Sequence, residues 1–363
     1  PNIREEKTMR LFKKVLAVSV ASMCALSLAA CGGSKSAETT AAASSESKEE
    51  TKAGESVSEA VAATGKDAKD IKVGISIYKF DDNFMTLYRN ELVRYLTEDC
   101  GIPKDNIVVQ DGKNDQAEQT NQINNFIATK VDVMILNLVQ SSSAPTVTDL
   151  AKEAGIPVVY INREPDETEE SRWASDGIKA TYVGADARQS GTFQGEEIAE
   201  LDNKGDINGD GTVKYIMIQG DPENIDAQYR TEYSVKALTE KSGLKADELL
   251  IQRGDWDQAK GQQIAQDALT QYGKDIEVIF CNNDAMALGA LQAINAAGRK
   301  VGEDIYIVGV DALAEAVQNV SEGKMTGTVF NDFISQAQAA AKAAISFTND
   351  EKVDTKIPVD YVK

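Results

Sequence analysis

Side chains able to bind a polar ligand follow six segments that are predicted to be strands. Each junction carries Asp or Asn, whose oxygens accept hydrogen bonds and whose amide nitrogens donate them. The residues are Asp81 and Asp82, Asn137, Asn162, Asn283 and Asp284, Asp311, and Asn331 and Asp332. Any one of them can instead be a helix N-cap or a turn residue. Capping does not readily explain the repetition at six junctions, which favours a shared ligand site.

The composition restricts the chemistry of such a site. The 363-residue chain contains no histidine, so the commonest general base, proton shuttle and metal ligand is missing. A Ser-His-Asp hydrolase is therefore excluded. The 38 basic and 58 acidic side chains give a net charge of −20, which repels nucleic-acid phosphates and anionic membranes. Nucleic acid is not expected as a partner.

Short apolar segments alternate with amphipathic segments from residue 72 onward. This alternation predicts an α/β fold class with two doubly wound parallel-sheet lobes. The predicted strands are 71–77, 131–138, 157–161, 213–218, 277–281, 305–310 and 327–330, and the predicted helices include 84–98, 116–129, 187–201, 225–241 and 257–272. Ligands of such sheets bind outside the carboxyl ends of the strands. The fold therefore places the Asp and Asn residues where a ligand binds.

The first 31 residues have the order of a bacterial lipoprotein signal. Basic Arg10, Lys13 and Lys14 precede an apolar segment at 15–30 that is too short for a comfortable membrane span. Small residues then precede Cys31, and this ending resembles a lipobox, in which the cysteine becomes the lipidated first residue. A plain cleaved signal with an incidental cysteine is the alternative. Residues 32–66 are polar and contain no aromatic side chain, which predicts a disordered tether.

The remaining cysteines are Cys24, Cys100 and Cys281, and their spacing is not that of a metal site. A disulfide between Cys100 and Cys281 is one possibility. Two separate thiols are the favoured interpretation.

Three segments resemble a known family. Residues 78–84 (YKFDDNF), 282–287 (NNDAMA) and 309–313 (GVDAL) are similar to the galactose/glucose-binding proteins, periplasmic sugar-binding proteins that serve ABC transporters. The resemblance extends from about residue 72 to 331. It implies a type I periplasmic-binding-protein fold, whose two lobes close around a sugar through a three-segment hinge.

The resemblance also implies lobe boundaries. One lobe is expected to contain residues 67–158 and 331–355, and the other residues 159–330 and 356–363. The chain is expected to cross between them near residues 156–162, 328–332 and 353–357.

The same resemblance implies the sugar-binding side chains. Phe84 and Trp256 correspond to two aromatic residues that stack on a pyranose, whose axial-hydrogen face is apolar. The residues that correspond to hydroxyl partners are Asp82, Asn137, Asp226, Arg230, Asn283, Asp311 and Asn331. An exposed i,i+4 ion pair is the alternative for Asp226 and Arg230. Asn224 stands where the family commonly has a histidine, so the choice among galactose, glucose and another hexose stays open.

Residues 206–211 (DINGDG) resemble a calcium loop, with oxygen ligands at positions 1, 3 and 5 and glycine at 6. The expected ligands are Asp206, Asn208, Asp210, the carbonyl of Thr212, and Glu277, which corresponds to the family's distant carboxylate. Lys214 replaces a coordinating Gln of the family, and an ammonium cannot bind a cation. A solvated turn, or a site in which the Lys214 charge replaces the metal, is the alternative. No organic cofactor is expected.

These features together predict a binding protein and not an enzyme. The expected protein is an extracytoplasmic lipoprotein, anchored through Cys31 and monomeric, that binds D-galactose or D-glucose and delivers it to the permease of an ABC sugar importer. Recognition by a chemoreceptor or a sensor kinase is the alternative output. A glycosidase is disfavoured because no carboxyl group is expected to have a raised pKa. A regulator of the same fold would need a basic helix-turn-helix where the signal and acidic tether stand.

Overall fold

The strands form where apolar and β-branched residues run together, because a central strand of a parallel sheet is covered on both faces. The computed structural model describes residues 65–363. The strands of the first sheet are β1 (Val73–Ile77), β2 (Ile107–Asp111), β3 (Val133–Leu136), β4 (Val158–Ile161), β5 (Ala180–Gly184) and β11 (Lys356–Pro358). They lie in the order β11-β5-β4-β3-β1-β2 with parallel pairing throughout, and we call this sheet with its helices the N-terminal lobe.

The second sheet is also parallel and forms the C-terminal lobe. Its strands are β6 (Thr212–Gln219), β7 (Lys245–Arg253), β8 (Val278–Cys281), β9 (Tyr306–Asp311) and β10 (Gly327–Phe330). They lie in the order β10-β9-β8-β6-β7. Two parallel α/β sheets confirm the predicted fold class.

Helices connect the strands, and many begin at an Asp or Asn cap. They are α1 (Asn83–Arg94), α2 (Gln116–Ala128), α3 (Ala144–Ala154), α4 (Glu167–Ser175), α5 (Ala187–Ala199), α6 (Ile225–Ser242), α7 (Gln258–Tyr272), α8 (Asp284–Ala296), α9 (Ala314–Ser321) and α10 (Phe333–Thr348). Asp82, Asn283 and Asp332 each accept a backbone N–H in the first turn of α1, α8 and α10. Capping is therefore a real role of these three strand-end residues, whatever else they bind.

The boundary between the lobes differs from the prediction. β4 pairs with β3 and with β5, so residues 159–184 belong to the N-terminal lobe rather than to the C-terminal one. The first crossing consequently lies between β5 and α5, after Gly184, and not at 156–162. The cause of the error is that strands of both lobes have the same apolar character, so the sequence does not mark which sheet a strand joins.

The other two crossings agree with the prediction more closely. The second follows β10 at Asn331 and Asp332, after which α10 packs against α1 and the first sheet. β11 pairs with β5, so residues 356–358 belong to the N-terminal lobe, contrary to the expected boundary. The chain then returns to the second sheet, where Val362 forms an antiparallel bridge with Phe330, and this places the third crossing after Pro358.

The predictions for the signal and for most of the tether concern residues outside the described part of the chain, whereas those for Cys100 and Cys281 concern residues within it. The signal at 1–31 with Cys24 and Cys31, and the tether up to residue 64, lie outside the described residues. Cys100 and Cys281 are separate thiols in different lobes. Across residues 65–363, no helix combines the length and the apolar character needed to cross a membrane.

Candidate functional site

A cavity lies between the lobes at the carboxyl ends of their strands. It contains about 360 Å³ of space between protein atoms, part of it open to solvent. Its lining residues are Tyr78, Asp82, Phe84, Met85, Asn162, Arg163, Asn224, Asp226, Arg230, Trp256, Asn283, Asp311 and Asn331. The structure thus brings together every predicted sugar-binding residue except Asn137.

Asn137 is buried, and its side chain forms hydrogen bonds to neighbouring strand ends and does not line the cavity. Its Oδ1 accepts a hydrogen bond from the Tyr78 N–H at 3.2 Å, and its Nδ2 donates to the Ile161 carbonyl at 3.2 Å. Nδ2 also donates to Asn162 Oδ1 at 3.1 Å. Asn137 therefore supports the neighbouring strand ends, and the prediction that it lines the sugar site is corrected.

The N-terminal lobe contributes an aromatic side chain and a carboxylate from the start of α1. Asp82 Oδ1 caps the helix by accepting the Met85 N–H at 2.7 Å, while Oδ2 accepts the Tyr78 hydroxyl hydrogen at 2.5 Å. Phe84, one residue into the helix, packs edge-to-face on Tyr88 with ring centroids 6.2 Å apart. Cap and packing together fix both side chains at the cavity wall.

The C-terminal lobe contributes Trp256 from the turn between β7 and α7. Asp255 and Trp256 both have positive φ, 51° and 64°, a conformation that turns the chain sharply before the helix. The indole ring lies against Gly220, where an added Cβ would come within 2.3 Å of it. Trp256 Nε1 is buried and has no hydrogen-bond partner among residues 65–363. A ligand oxygen is the kind of acceptor that this N–H lacks.

Arg230 and Asp226 lie one helical turn apart on α6, both buried. Arg230 Nη1 donates to the Asn282 carbonyl at 2.8 Å, and Nη2 donates to the Tyr361 hydroxyl at 2.8 Å. Nη2 stands 3.7 Å from Asp226 Oδ2, longer than a hydrogen bond. Asp226 Oδ1 is buried and has no partner in the described part of the chain. The alternative of an exposed surface pair is therefore wrong for these two residues.

Asp311 ends β9 in a strained backbone conformation, with φ of 118°. The following turn is fixed by buried Asp284, whose Oδ2 accepts the Leu313 N–H at 2.8 Å. Asn331 Nδ2 donates to Asp311 Oδ1 at 3.2 Å, and Asn331 Oδ1 accepts from Gln336 at 2.6 Å. The backbone conformation of Asp311 and these hydrogen bonds together hold its carboxylate at the cavity wall.

Burial changes the ionisation of the cavity carboxyls. Desolvation raises the pKa of Asp226 and of Asp311 to about 7 each, against the opposing effect of the Arg230 charge. Burial tends to lower the pKa of Arg230, but Tyr361, Asp226 and Asp311 hold it above its ordinary value. The expectation that no carboxyl pKa is raised is therefore wrong.

A model of the periplasmic binding protein domain matches residues 73–352. The chain belongs to this family. The D-galactose/methyl-galactoside binding periplasmic protein MglB of Haemophilus influenzae is 37% identical over 309 residues, covering 81% of this chain and 89% of that protein. The ribose import binding protein RbsB of Bacillus subtilis is 25% identical over 290 residues, covering 80% of this chain and 85% of that protein.

A solved structure from Bacillus halodurans, an ABC transporter solute-binding protein with bound myo-inositol, is similar as well. It is 29% identical with a TM-score of 0.69, and the match covers 82% of this chain and 94% of that one. Membership in the periplasmic binding protein family confirms the prediction of an extracytoplasmic solute-binding protein rather than an enzyme. The raised carboxyl pKa values accordingly belong to a binding site and not to glycoside hydrolysis.

Three cavity residues were not predicted as ligand contacts: Tyr78, Met85 and Arg163. Asn162 was predicted as one of the polar strand-end residues and also lines the cavity. The Arg163 guanidinium lies 3.8 Å from the centre of the Tyr78 ring, and its Nη1 donates to the Val139 carbonyl at 2.5 Å. Asn162 has a φ of 62° and directly precedes Arg163. The position of Arg163 directly after Asn162 at the end of β4 was the available signal.

The predicted calcium loop of this family member has its oxygens directed at its own backbone. Asp206 Oδ1 and Oδ2 accept the N–H groups of Gly209 and Gly211, both at 2.8 Å. Glu277 reaches the loop as predicted, where Oε1 accepts the Ile207 N–H at 2.8 Å and Oε2 accepts the Lys214 N–H at 2.9 Å.

The remaining predicted ligands of that loop are arranged in the same way. Asn208 Oδ1 accepts the Asp210 N–H at 2.8 Å, and Asp210 Oδ1 accepts the Thr212 N–H at 2.9 Å. The Lys214 ammonium lies 3.8 Å from Asp210 Oδ2. No cluster of three or more acidic or cysteine side chains arranged to hold a metal occurs within residues 65–363. This arrangement fits a loop closed by N–H groups and the Lys214 charge better than a calcium shell, and calcium binding stays a prediction.

Proposed function

We propose that the protein binds a hexose in its pyranose form, D-galactose or D-glucose, in the cavity between the lobes. The observation that carries the proposal is that two aromatic side chains, Phe84 and Trp256, line one cavity from opposite lobes. The apolar faces of a pyranose fit between such rings, and its hydroxyl rim then points to the polar side chains around them.

The polar residues supply hydrogen bonds of both kinds that a hydroxyl needs. Asp82, Asp226 and Asp311 supply acceptors, and the unpartnered Oδ1 of Asp226 within the described chain is open to a hydroxyl donor. The amides of Asn283 and Asn331 and the Arg230 guanidinium supply donors. The 37% identity to the Haemophilus influenzae galactose-binding protein supports galactose as the first choice.

A second candidate ligand is a cyclic polyol such as myo-inositol. The Bacillus halodurans structure that contains myo-inositol is 29% identical to this chain, and an inositol ring has an apolar face and a hydroxyl rim like those of a hexose. Thermal-shift measurements on the purified protein with galactose, glucose, myo-inositol, ribose and xylose separate these candidates. The proposal predicts the largest rise in melting temperature with a hexose, whereas the largest rise with myo-inositol would replace the hexose by a cyclitol.

We further propose that the closed, sugar-bound form delivers its ligand to the permease of an ABC importer. The similarity to an ABC transporter solute-binding protein of Bacillus halodurans supports this output. Recognition by a chemoreceptor or a sensor kinase is the alternative, because both outputs use the closed lobes. Loss of labelled-hexose uptake in a deletion strain is expected; intact uptake together with lost sugar-induced gene expression would favour sensing.

The membrane attachment is a separate proposal, carried by the lipobox-like segment before Cys31. Lipidation of Cys31 would keep the protein at the outer face of the cell membrane while residues 32–66 act as a tether. The wild-type protein is expected in the membrane fraction and a Cys31→Ala variant outside it. Equal distribution of the two proteins would contradict the lipid anchor.

A further inference from the structure

Tyr361 lies where the three crossings between the lobes meet. Its ring is 4% exposed and belongs to one apolar cluster with Ala185, Val310 and Val329. Ala185 follows β5 at the first crossing, Val329 lies in β10 just before the second, and Tyr361 itself is in the third. The position of this one ring is therefore set by all three hinge segments.

Backbone hydrogen bonds fix the residue on both sides. The Tyr361 N–H donates to Gln189 Oε1 at 2.7 Å, and the Val359 N–H donates to the Gly184 carbonyl at 2.9 Å. Val362 and Phe330 exchange two backbone hydrogen bonds, at 2.8 and 3.0 Å. A side chain held in this way can orient a partner without losing much conformational entropy of its own.

The partner is Arg230, a residue that the proposed function places against the sugar. Its Nη2 donates to the Tyr361 hydroxyl at 2.8 Å but stands 3.7 Å from Asp226 Oδ2. The Arg230 guanidinium is near two rings, 5.7 Å from the centre of Tyr361 and 5.7 Å from the centre of Trp256. The hydroxyl thus occupies the Arg230 nitrogen that is also close to the Asp226 carboxylate.

We propose that Tyr361 is a positioning residue for the ligand: its hydroxyl holds Arg230 away from Asp226, so that the two side chains stay available to separate ligand hydroxyls. An arginine and a carboxylate that close on each other form a bidentate pair and satisfy one another. Without the Tyr361 hydroxyl, Arg230 Nη2 loses its partner, and Asp226 Oδ2 at 3.7 Å is an acceptor that a small movement would bring into hydrogen-bond range. The carboxylate then has to leave Arg230 before it can accept from a ligand. This inference rests on the proposed function.

The test is calorimetric binding of galactose, glucose and myo-inositol to the purified wild-type protein and to Tyr361→Phe. Phe keeps the ring in its cluster and removes only the hydroxyl, so the dissociation constant is expected to rise about threefold to tenfold with little change in melting temperature. Tyr306→Phe is the matched control, because it also removes a hydroxyl hydrogen bond, to Asn203 Oδ1 at 3.1 Å, outside the cavity. Its dissociation constant is expected to equal that of the wild type.

A double-mutant cycle shows whether Tyr361 acts through Arg230. In an Arg230→Lys background the Tyr361→Phe substitution is expected to change the dissociation constant by less than twofold, because the guanidinium that it positions is gone. Equal affinity of wild type and Tyr361→Phe, or the same loss in both backgrounds, would overturn the positioning role. Failure of the wild type to bind any of the three ligands would instead overturn the proposed function.

Discussion

The cavity between the lobes, called the cleft below, and the loop at residues 206–214 both contain buried carboxylates, but the hydrogen bonding of these carboxylates differs. In the loop, Glu277 is 2% exposed and accepts three backbone N–H groups. In the cleft, Asp226 is 5% exposed and its Oδ1 accepts none from any described residue. A buried polar atom without a partner costs free energy, and it persists where a ligand supplies the partner. Sequence patterns suggested a ligand at both places, but only the cleft has the unpaired groups that a ligand would satisfy.

The largest effect is expected from the aromatic wall of the cleft. Trp256→Ala should weaken hexose binding by about 2–4 kcal/mol through the loss of stacking surface, with little loss of melting temperature. Trp173→Phe is the contrasting variant, because Trp173 stacks on Tyr160 in the N-terminal core with centroids 5.3 Å apart. It should lower the melting temperature and leave affinity unchanged. Calorimetry that finds wild-type affinity for Trp256→Ala would remove this residue from the site.

A paired substitution tests the comparison of carboxylates directly. Asp226→Asn should weaken binding by about 1–3 kcal/mol and leave the unliganded protein at least as stable, because a buried charge without a full partner is removed. Glu277→Gln should lower the melting temperature and leave the affinity unchanged. The reason is that the new amide hydrogens would face the backbone N–H groups from which Glu277 now accepts hydrogen bonds. Thermal denaturation measures the stability of both variants, and calorimetry measures their affinity for the sugar. If the two substitutions change stability and affinity in the same way, the distinction between cleft and loop is contradicted.

The pH dependence follows from the raised carboxyl pKa values. In the unliganded protein burial holds the pKa of Asp226 and Asp311 at about 7, and ligand hydroxyls donate to the ionised form. Binding therefore releases protons, and affinity should fall below pH 7 by at most about tenfold per pH unit for each group. A dissociation constant that stays constant from pH 8 to pH 5.5 would contradict this.

The stability of the unliganded protein should change in the opposite direction. A carboxyl whose pKa is higher in the folded than in the unfolded state contributes stability that is complete below the unfolded pKa. That contribution is lost as the pH rises through about 7, the folded pKa of Asp226 and Asp311. Asp226→Asn should therefore reduce the difference in melting temperature between pH 6 and pH 8, and an unchanged difference would exclude Asp226 as its source.

The smallest effect is expected at the loop. Millimolar calcium should leave the melting temperature of the wild type almost unchanged, because the Lys214 ammonium lies 3.8 Å from Asp210 Oδ2 and would repel a cation there. Lys214→Gln should introduce a calcium-dependent rise, with magnesium as the control ion. If Lys214→Gln does not respond to calcium either, the Lys214 charge is not what keeps a cation from the loop.

Much of the architecture could be predicted from apolar periodicity. β10 was predicted at its observed bounds, and helices such as α2 and α6 within about two residues, because their buried faces are continuous in the sequence. The strand β5 (Ala180–Gly184) was missed, and with it the lobe boundary, since its partners β4 and β11 are chosen by tertiary packing.

In the site, too, features set by neighbouring residues could be predicted, and features set by contacts between distant residues could not. Asp82 and Asn283 could be predicted because local junction chemistry places them at strand ends. The contact of Tyr361 with Arg230 joins residues 131 positions apart, and the unpaired oxygen of Asp226 exists only after the lobes fold around it. Neither feature has a signal in the neighbouring sequence.

The central claim is that the cleft of this periplasmic binding protein takes a pyranose. Isothermal titration of the purified protein with galactose, glucose, ribose and xylose, with and without a calcium chelator, tests it most directly. The account predicts a dissociation constant of about a micromolar or tighter for one of the hexoses, roughly −8 kcal/mol, weaker binding of both pentoses, and no effect of the chelator. Binding of a pentose in preference to both hexoses, or of none of the four sugars, would contradict it.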